Sequence, residues 1–301
     1  MIGGLIVKKI VARYFYVPIC PESFATLDRL RNLFFKYKEQ VDFESFNIFD
    51  CKFESLYSWF PSEEEIIESV RENGTYPLLF GKLFIQGNEI KGFPPSKKFI
   101  SNALKEHGIS FKEEDYKFDY GVITKERLKC DINKFQIKKY DGKLLRDSCI
   151  ICTKYNPYLD EKSYIPENWV KYEQLKRRFL EESLENGSLA GYIEYYNHEP
   201  VGFIEAFPLH ISRKLGFPIS SKSTNGVMIT CLSVRKEMSG YGVASRLMEY
   251  LEEEVKNRKY ESIEVLSFPD EQNWQPKSLY EKKGYKKVKE IKELCIMRKE
   301  L

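Results

Sequence analysis

Histidine is nearly missing from this chain: three residues in 301, at positions 107, 198 and 210. They stand far apart at expected helix ends and turns, and their spacing suits no metal ligand set, so no metal is expected. A charge surplus is missing too. The 48 basic and 45 acidic residues leave only +3, which gives no case for nucleic acid or an anionic membrane surface as partner. No apolar run approaches the roughly 18 residues of a membrane-crossing helix. Met1–Val7 is apolar, but Lys8, Lys9 and Arg13 follow it, the reverse of the order in a secretory signal. There is no internal repeat and no low-complexity segment. Seven cysteines (20, 51, 130, 149, 152, 231, 295) form an odd, scattered set, which points to a cytoplasmic chain with mostly reduced thiols.

What is present is apolar and aromatic: 42% hydrophobic and 15% aromatic residues over 301 positions, enough for two α/β domains with their own cores. The spacing predicts a βαβ-α-ββα unit over 1–111. It comprises a strand at 10–17, a helix at 21–38 and a strand at 43–49. A helix then starts at the capping box Ser62-Glu63-Glu64-Glu65, and a hairpin turns at Gln86-Gly87-Asn88. A last helix from Ser96 to His107-Gly108 buries Phe99, Ile100, Ala103 and Leu104. The charged run Lys112–Asp115 marks a boundary, and 112–147 reads as a linker or hairpin extension.

From 148 to 301 the expected order is strand, helix, hairpin, strand, helix, strand, helix and two strands. Cys149-Ile150-Ile151-Cys152 is read as the first of these strands. On a strand the two thiols would point to opposite faces, and no second such pair exists, so zinc and redox roles are set aside. A helix over 166–184 carries Trp169, Val170, Leu175, Phe179 and Leu184 inward. A hairpin surrounds Asn197–Pro200.

The most telling stretch is the strand Val227–Val234, followed by Ser239-Gly240-Tyr241-Gly242-Val243-Ala244 and a helix with Val243, Leu247, Leu251 and Val255 at i, i+4, i+8 and i+12. A glycine turn opening a helix aims backbone N–H groups at one point, at the positive end of the helix dipole, where a pyrophosphate can be held. The alternative is a tight turn that binds nothing. The same stretch closes with Ser278-Leu279-Tyr280-Glu281-Lys282-Lys283-Gly284-Tyr285.

Together these segments resemble the acetyl-CoA-binding half of GNAT-superfamily N-acetyltransferases, over roughly 149–301. The family's phosphate motif is met except at its first position, where Ser239 replaces a larger polar residue. The resemblance implies that the amides of Ser239, Gly240, Tyr241, Gly242, Val243 and Ala244 cradle the pyrophosphate. It also implies that the main chain of Leu232, Ser233 and Val234 pairs with the pantetheine arm, and that Asn273 contacts the cofactor. Tyr280 would protonate the departing CoA thiolate; the alternative is an interior aromatic with a satisfied hydroxyl. A proton is needed there because an unprotonated thiolate re-attacks. The general base is less clearly marked. The strand Val227–Thr230 has no carboxylate, and Glu205 on the hairpin is the remaining choice, against the alternative of an ordinary surface carboxylate. Cys231 reads as a small buried hydrophobe, and His210 as a loop residue near the acceptor.

Residues 8–107 resemble thioredoxin-like domains, glutaredoxins above all. Cys20-Pro21-Glu22-Ser23 opens a helix after a strand, Thr75-Tyr76-Pro77 falls at the family's cis-proline position, and Gly92 at its glycine turn. A helix N-terminus lowers a thiol's pKa, which makes Cys20 a redox candidate. Ser23 replaces the second cysteine, so only monothiol exchange is implied; the alternative is a scaffold with no turnover.

The expected activity is acetyl transfer from acetyl-CoA to a primary amine in a ternary complex. The acceptor is a small-molecule or peptide amine, and a homodimer is an admissible assembly. The rival expectations are a monothiol oxidoreductase using Cys20 and a non-catalytic CoA-binding sensor.

Overall fold

The computed structural model describes residues 9–16, 20–47, 81–91, 95–112, 130–139, 144–154, 173–174, 176–178, 190–214, 217–220, 225–270, 275–291 and 294–301. The expected helices at 62–74 and 166–184 lie wholly or mostly outside these residues, as do the proline at 77, Gly92, Cys51 and Asn273.

The N-terminal unit builds on β1 (Ile10–Tyr16), α1 (Pro21–Lys36), β2 (Val41–Asn47), β3 (Leu83–Ile85), β4 (Asn88–Ile90) and α2 (Lys97–Glu106). Its sheet has the order β2-β1-β3-β4. β1 and β2 run parallel across the α1 crossover, and β3 runs antiparallel to β1. Tyr14, Leu30, Leu33, Phe34, Leu83, Ile100 and Leu104 fill the core. Phe99, expected inside, is 40% exposed, because α2 turns Ile100 and Leu104 toward the sheet and leaves Phe99 beside that stripe.

The second sheet is larger. It contains β5 (Phe135–Lys139), β6 (Ala190–Tyr196), β7 (Glu199–Pro208), β8 (Gly226–Val234), β9 (Ser262–Ser267), β10 (Lys286–Ile291) and β11 (Leu294–Glu300). Helices α3 (Leu145–Lys154), α4 (Leu209–Lys214), α5 (Val243–Asn257) and α6 (Lys277–Lys282) connect or cover the strands. The order is β10-β11-β9-β8-β7-β6-β5. Among the described strands of this sheet only β8 and β9 pair in parallel, as the intervening α5 requires. The segment read as a linker thus includes an edge strand of this sheet, Phe135–Lys139 against Tyr192–Tyr196.

Cys149 and Cys152 are not on a strand. They lie on α3, where a spacing of three puts both on one face, and both are buried. A four-residue apolar run reads equally as strand or buried helix, and here the helix prevails.

The sheet is covered on both sides. One face packs on α5 through Val243, Leu247, Met248, Leu251 and Val255, the spacing expected from sequence. The other face meets α3 and α4, and its apolar cluster also takes in Phe15 and Cys20 of the N-terminal unit. The two units therefore share a core at this face.

Candidate functional site

Two departures from regular pairing make the site. β8 and β9 stay paired only from Gly226↔Ser262 to Ile229↔Val265, and β8 then runs on to Val234 without β9. On its other side, the register with β7 passes from Ala206↔Ile229 to Glu205↔Cys231, leaving Thr230 as a bulge. The Arg235 N–H donates to the Val201 carbonyl (2.8 Å). By the alternation of an antiparallel ladder, the N–H and C=O of Leu232 and Val234 then face the open edge, while those of Ser233 face β7. An extended amide chain has the groups it needs along that edge.

The edge leads into the glycine turn. Gly240 (φ 85°) and Gly242 (φ 76°) are both left-handed, a conformation that costs glycine little. Alternating left-handed residues turn successive N–H groups inward and form an anion-binding concavity. Ser239, Gly240 and Gly242 are exposed. Tyr241 N–H donates to the Met238 carbonyl (3.3 Å). The first-turn amides of Val243 and Ala244 have no acceptor within their own helix. These residues fit a diphosphate.

Neighbouring groups fix the turn. Arg246 donates through Nη1 to the Tyr241 carbonyl (2.8 Å) and through Nε to Glu194 (2.7 Å), with its guanidinium over the Phe135 ring at 4.7 Å. Glu194 is fully buried, and burial raises its carboxyl above the usual range, with Arg246 opposing. Gly202 on β7 lets the start of α5 approach the sheet. Sequence reasoning missed all three residues. The interior strand glycine was the one available signal, since it marks a close approach.

At the opposite end stands Tyr280 on α6. Its ring is fully buried, edge-on to Tyr285 at 5.6 Å, and its hydroxyl donates to Gln275 Oε1 (3.1 Å). Burial pushes the phenol well above its ordinary pKa, and the neighbouring Cys231 adds to this, so the hydroxyl keeps its proton at neutral pH.

Glu205 is not the surface carboxylate that strand alternation permits. It is 2% exposed and ion-paired at 2.7 Å with Lys176, itself 3% exposed. The Thr230 hydroxyl donates to Glu205 Oε1 at 3.3 Å. Lys176 was also missed, since it sits beside Leu175 in what reads as a plain apolar helix. His210 is exposed on α4.

Cys20 is the N-terminal cap residue of α1, as expected, but it is buried against the second unit. Desolvation pushes its thiol up, and Cys231 adds to this, both opposing the expected stabilisation of a thiolate by the helix dipole. The Cys152 thiol is pushed up by its hydrogen bond with Cys231 and by burial. Among the described residues no group of acidic, histidine or cysteine side chains could hold a metal, and no helix is long and apolar enough to cross a membrane.

Residues 151–285 match the family model described as Acetyltransferase (GNAT) family. No curated protein matches the chain. Solved structures similar to it include the PaiA N-acetyltransferase of Thermoplasma acidophilum in complex with coenzyme A, 20% identical over 56% of this chain and 99% of that one, TM-score 0.37. An aminoglycoside 6′-acetyltransferase type Ii is 23% identical over 55% of this chain and 96% of its own, TM-score 0.38. PH1933 of Pyrococcus horikoshii is 22% identical over 56% and 98%, TM-score 0.39.

Proposed function

We propose, from the match of residues 151–285 to the acetyltransferase (GNAT) family model, that the chain moves an acetyl group from acetyl-CoA to a primary amine by direct attack in a ternary complex. The observation that carries this reading is the continuity of the β8 edge at Leu232 and Val234, which no strand among the described residues pairs with, with the concavity at Gly240–Ala244. The edge takes the pantetheine amides and the concavity takes the diphosphate, with Asn273 as a further cofactor contact.

In this reading the thioester lies beside Thr230 and Cys231, where β8 leaves β9. Tyr280, within electrostatic reach of Cys231, gives its proton to the departing sulfur. A phenol with a raised pKa suits this role, since it arrives protonated and lies dry until the thiolate forms. Glu205, opposite Cys231 in the register, takes the proton of the attacking amine.

The strand order of the N-terminal unit supports placing it among thioredoxin-like proteins, as a wall over the acceptor face, since Phe15 and Cys20 enter that core. The thiol-exchange rival loses support from the burial of Cys20. The acceptor is a small-molecule or peptide amine. The test is CoA release from acetyl-CoA across a library of amines, with Tyr280→Phe as control. CoA binding with no transfer to any amine would leave the sensor reading in its place.

A further inference from the structure

The pair Lys176–Glu205 needs an explanation. Two charges, 3% and 2% exposed and 2.7 Å apart, are costly to bury, and apolar residues of similar volume commonly serve stability as well or better. The pair lies where the proposed chemistry takes place. Glu205 stands opposite Cys231 across β7 and β8 and accepts from Thr230 at the bulge. Lys176 is near enough to Cys20, Cys149 and Cys152 to act electrostatically on their thiols. Cys231 in turn hydrogen-bonds with Cys152 and acts electrostatically on Cys20 and Tyr280. Lys176 Nζ is thus a primary amine already held on the carboxylate proposed as base, across the strand pair from Cys231.

We propose that Lys176 is an acetyl acceptor of this protein's own site, modified in cis from bound acetyl-CoA; this rests on the proposed function. Glu205 takes one ammonium proton across the 2.7 Å contact. The Nζ lone pair attacks the acetyl carbonyl carbon, an N–C bond forms and the C–S bond breaks. The second proton lost by nitrogen restores the Tyr280 phenol, which has given its own to sulfur, and the first leaves Glu205 for solvent. The products are N-acetyl-Lys176 and free CoA, with no other reactant. Acetylation removes the charge that Glu205 is paired with, so it also changes how the site receives an outside amine.

The test incubates the full chain with acetyl-CoA and follows intact mass and peptide maps, with acetic anhydride on a parallel sample. Solvent-driven acetylation favours exposed lysines, so the anhydride should reach Lys176 among the last. Acetyl-CoA should instead place one acetyl group on Lys176 first, and Glu205→Gln should slow that step while leaving CoA binding in place. A CoA titration and the amine screen run on the same preparation. An unmodified Lys176 alongside transfer to an added amine overturns this inference and leaves the proposed function standing. Failure to bind CoA at all overturns both. Lysines modified in the same order by both reagents would show plain surface chemistry and overturn the inference.

Discussion

Gly202 lies directly beneath Val243: a Cβ at Gly202 would come within 2.6 Å of Val243 Cγ1 and 3.2 Å of the Ser233 carbonyl oxygen. The absent side chain sets the height of α5 over the sheet, and with it the position of the amides at 242–244. Gly202→Ala must push that helix start outward. Overpacking of this kind costs about 1–3 kcal/mol of stability. Displaced amides should weaken CoA binding about tenfold, or ~1.4 kcal/mol. Calorimetric titration with CoA and thermal unfolding read the two effects. An unchanged Kd in a destabilised variant would detach the glycine turn from the proposed diphosphate site.

Arg246 ties the Tyr241 carbonyl to the buried Glu194. Arg246→Ala leaves that carboxylate without its cation, and breaking a buried pair costs about 3–5 kcal/mol, an upper bound here because the arginine is part-exposed. The pH dependence has a definite sign. Glu194 has a raised folded pKa, so its contribution to stability is greatest at low pH and declines as pH rises through the folded value. Without Arg246 that value rises further. The stability gap between wild type and Arg246→Ala should therefore narrow as pH falls from neutral into the carboxylate range. Adding Glu194→Gln to Arg246→Ala should recover much of the loss at neutral pH. Denaturant unfolding at several pH values checks both.

Tyr280→Phe removes a proton donor and leaves the buried ring. Loss of a positioned general acid costs about 100-fold or more in turnover. Gln275 Oε1 loses its donor, at about 1 kcal/mol of stability. CoA affinity should hold, because the phenol lies away from the diphosphate turn. A fall in kcat with Kd for CoA unchanged is the expected result. A variant with full turnover would mean that the leaving thiolate takes its proton from elsewhere.

Much of this architecture is legible from residue spacing. The stripe Val243–Leu247–Leu251–Val255 shows the face of α5, and Gly240 and Gly242 announce the left-handed turn, because local geometry alone demands those residues. Cys149–Cys152 misleads for the opposite reason. A short apolar run carries no period of its own, and its helical state is set by packing on β7 and by α1 of the other unit. The Lys176–Glu205 and Arg246–Glu194 pairs are hidden for a related reason. Each joins residues 29 or 52 positions apart, and a charged residue in a sequence looks alike whether it faces water or a partner. Cys20 shows the same limit, since its position at the start of α1 is local but its burial is not.

That burial makes the cysteines a direct probe of how the two units meet. Cys20, Cys149 and Cys152 are buried together in the core that Phe15 enters. Desolvation raises the Cys149 thiol to about 12 and the Cys20 thiol well above its ordinary value. At neutral pH almost none of either is thiolate, the form that alkylates. Cys130 and Cys231 are only partly buried. Iodoacetamide followed by peptide mapping should therefore label Cys130 and Cys231 in the native chain, and Cys20, Cys149 and Cys152 only after denaturation. Bound CoA should shield Cys231, at the bulge of β8, and leave Cys130 as reactive as before. Rapid labelling of Cys20 in the native chain would mean that the N-terminal unit parts from the sheet. Its thiol would then regain the position at the head of α1 that favours a thiolate, and with it the chemistry of the monothiol alternative.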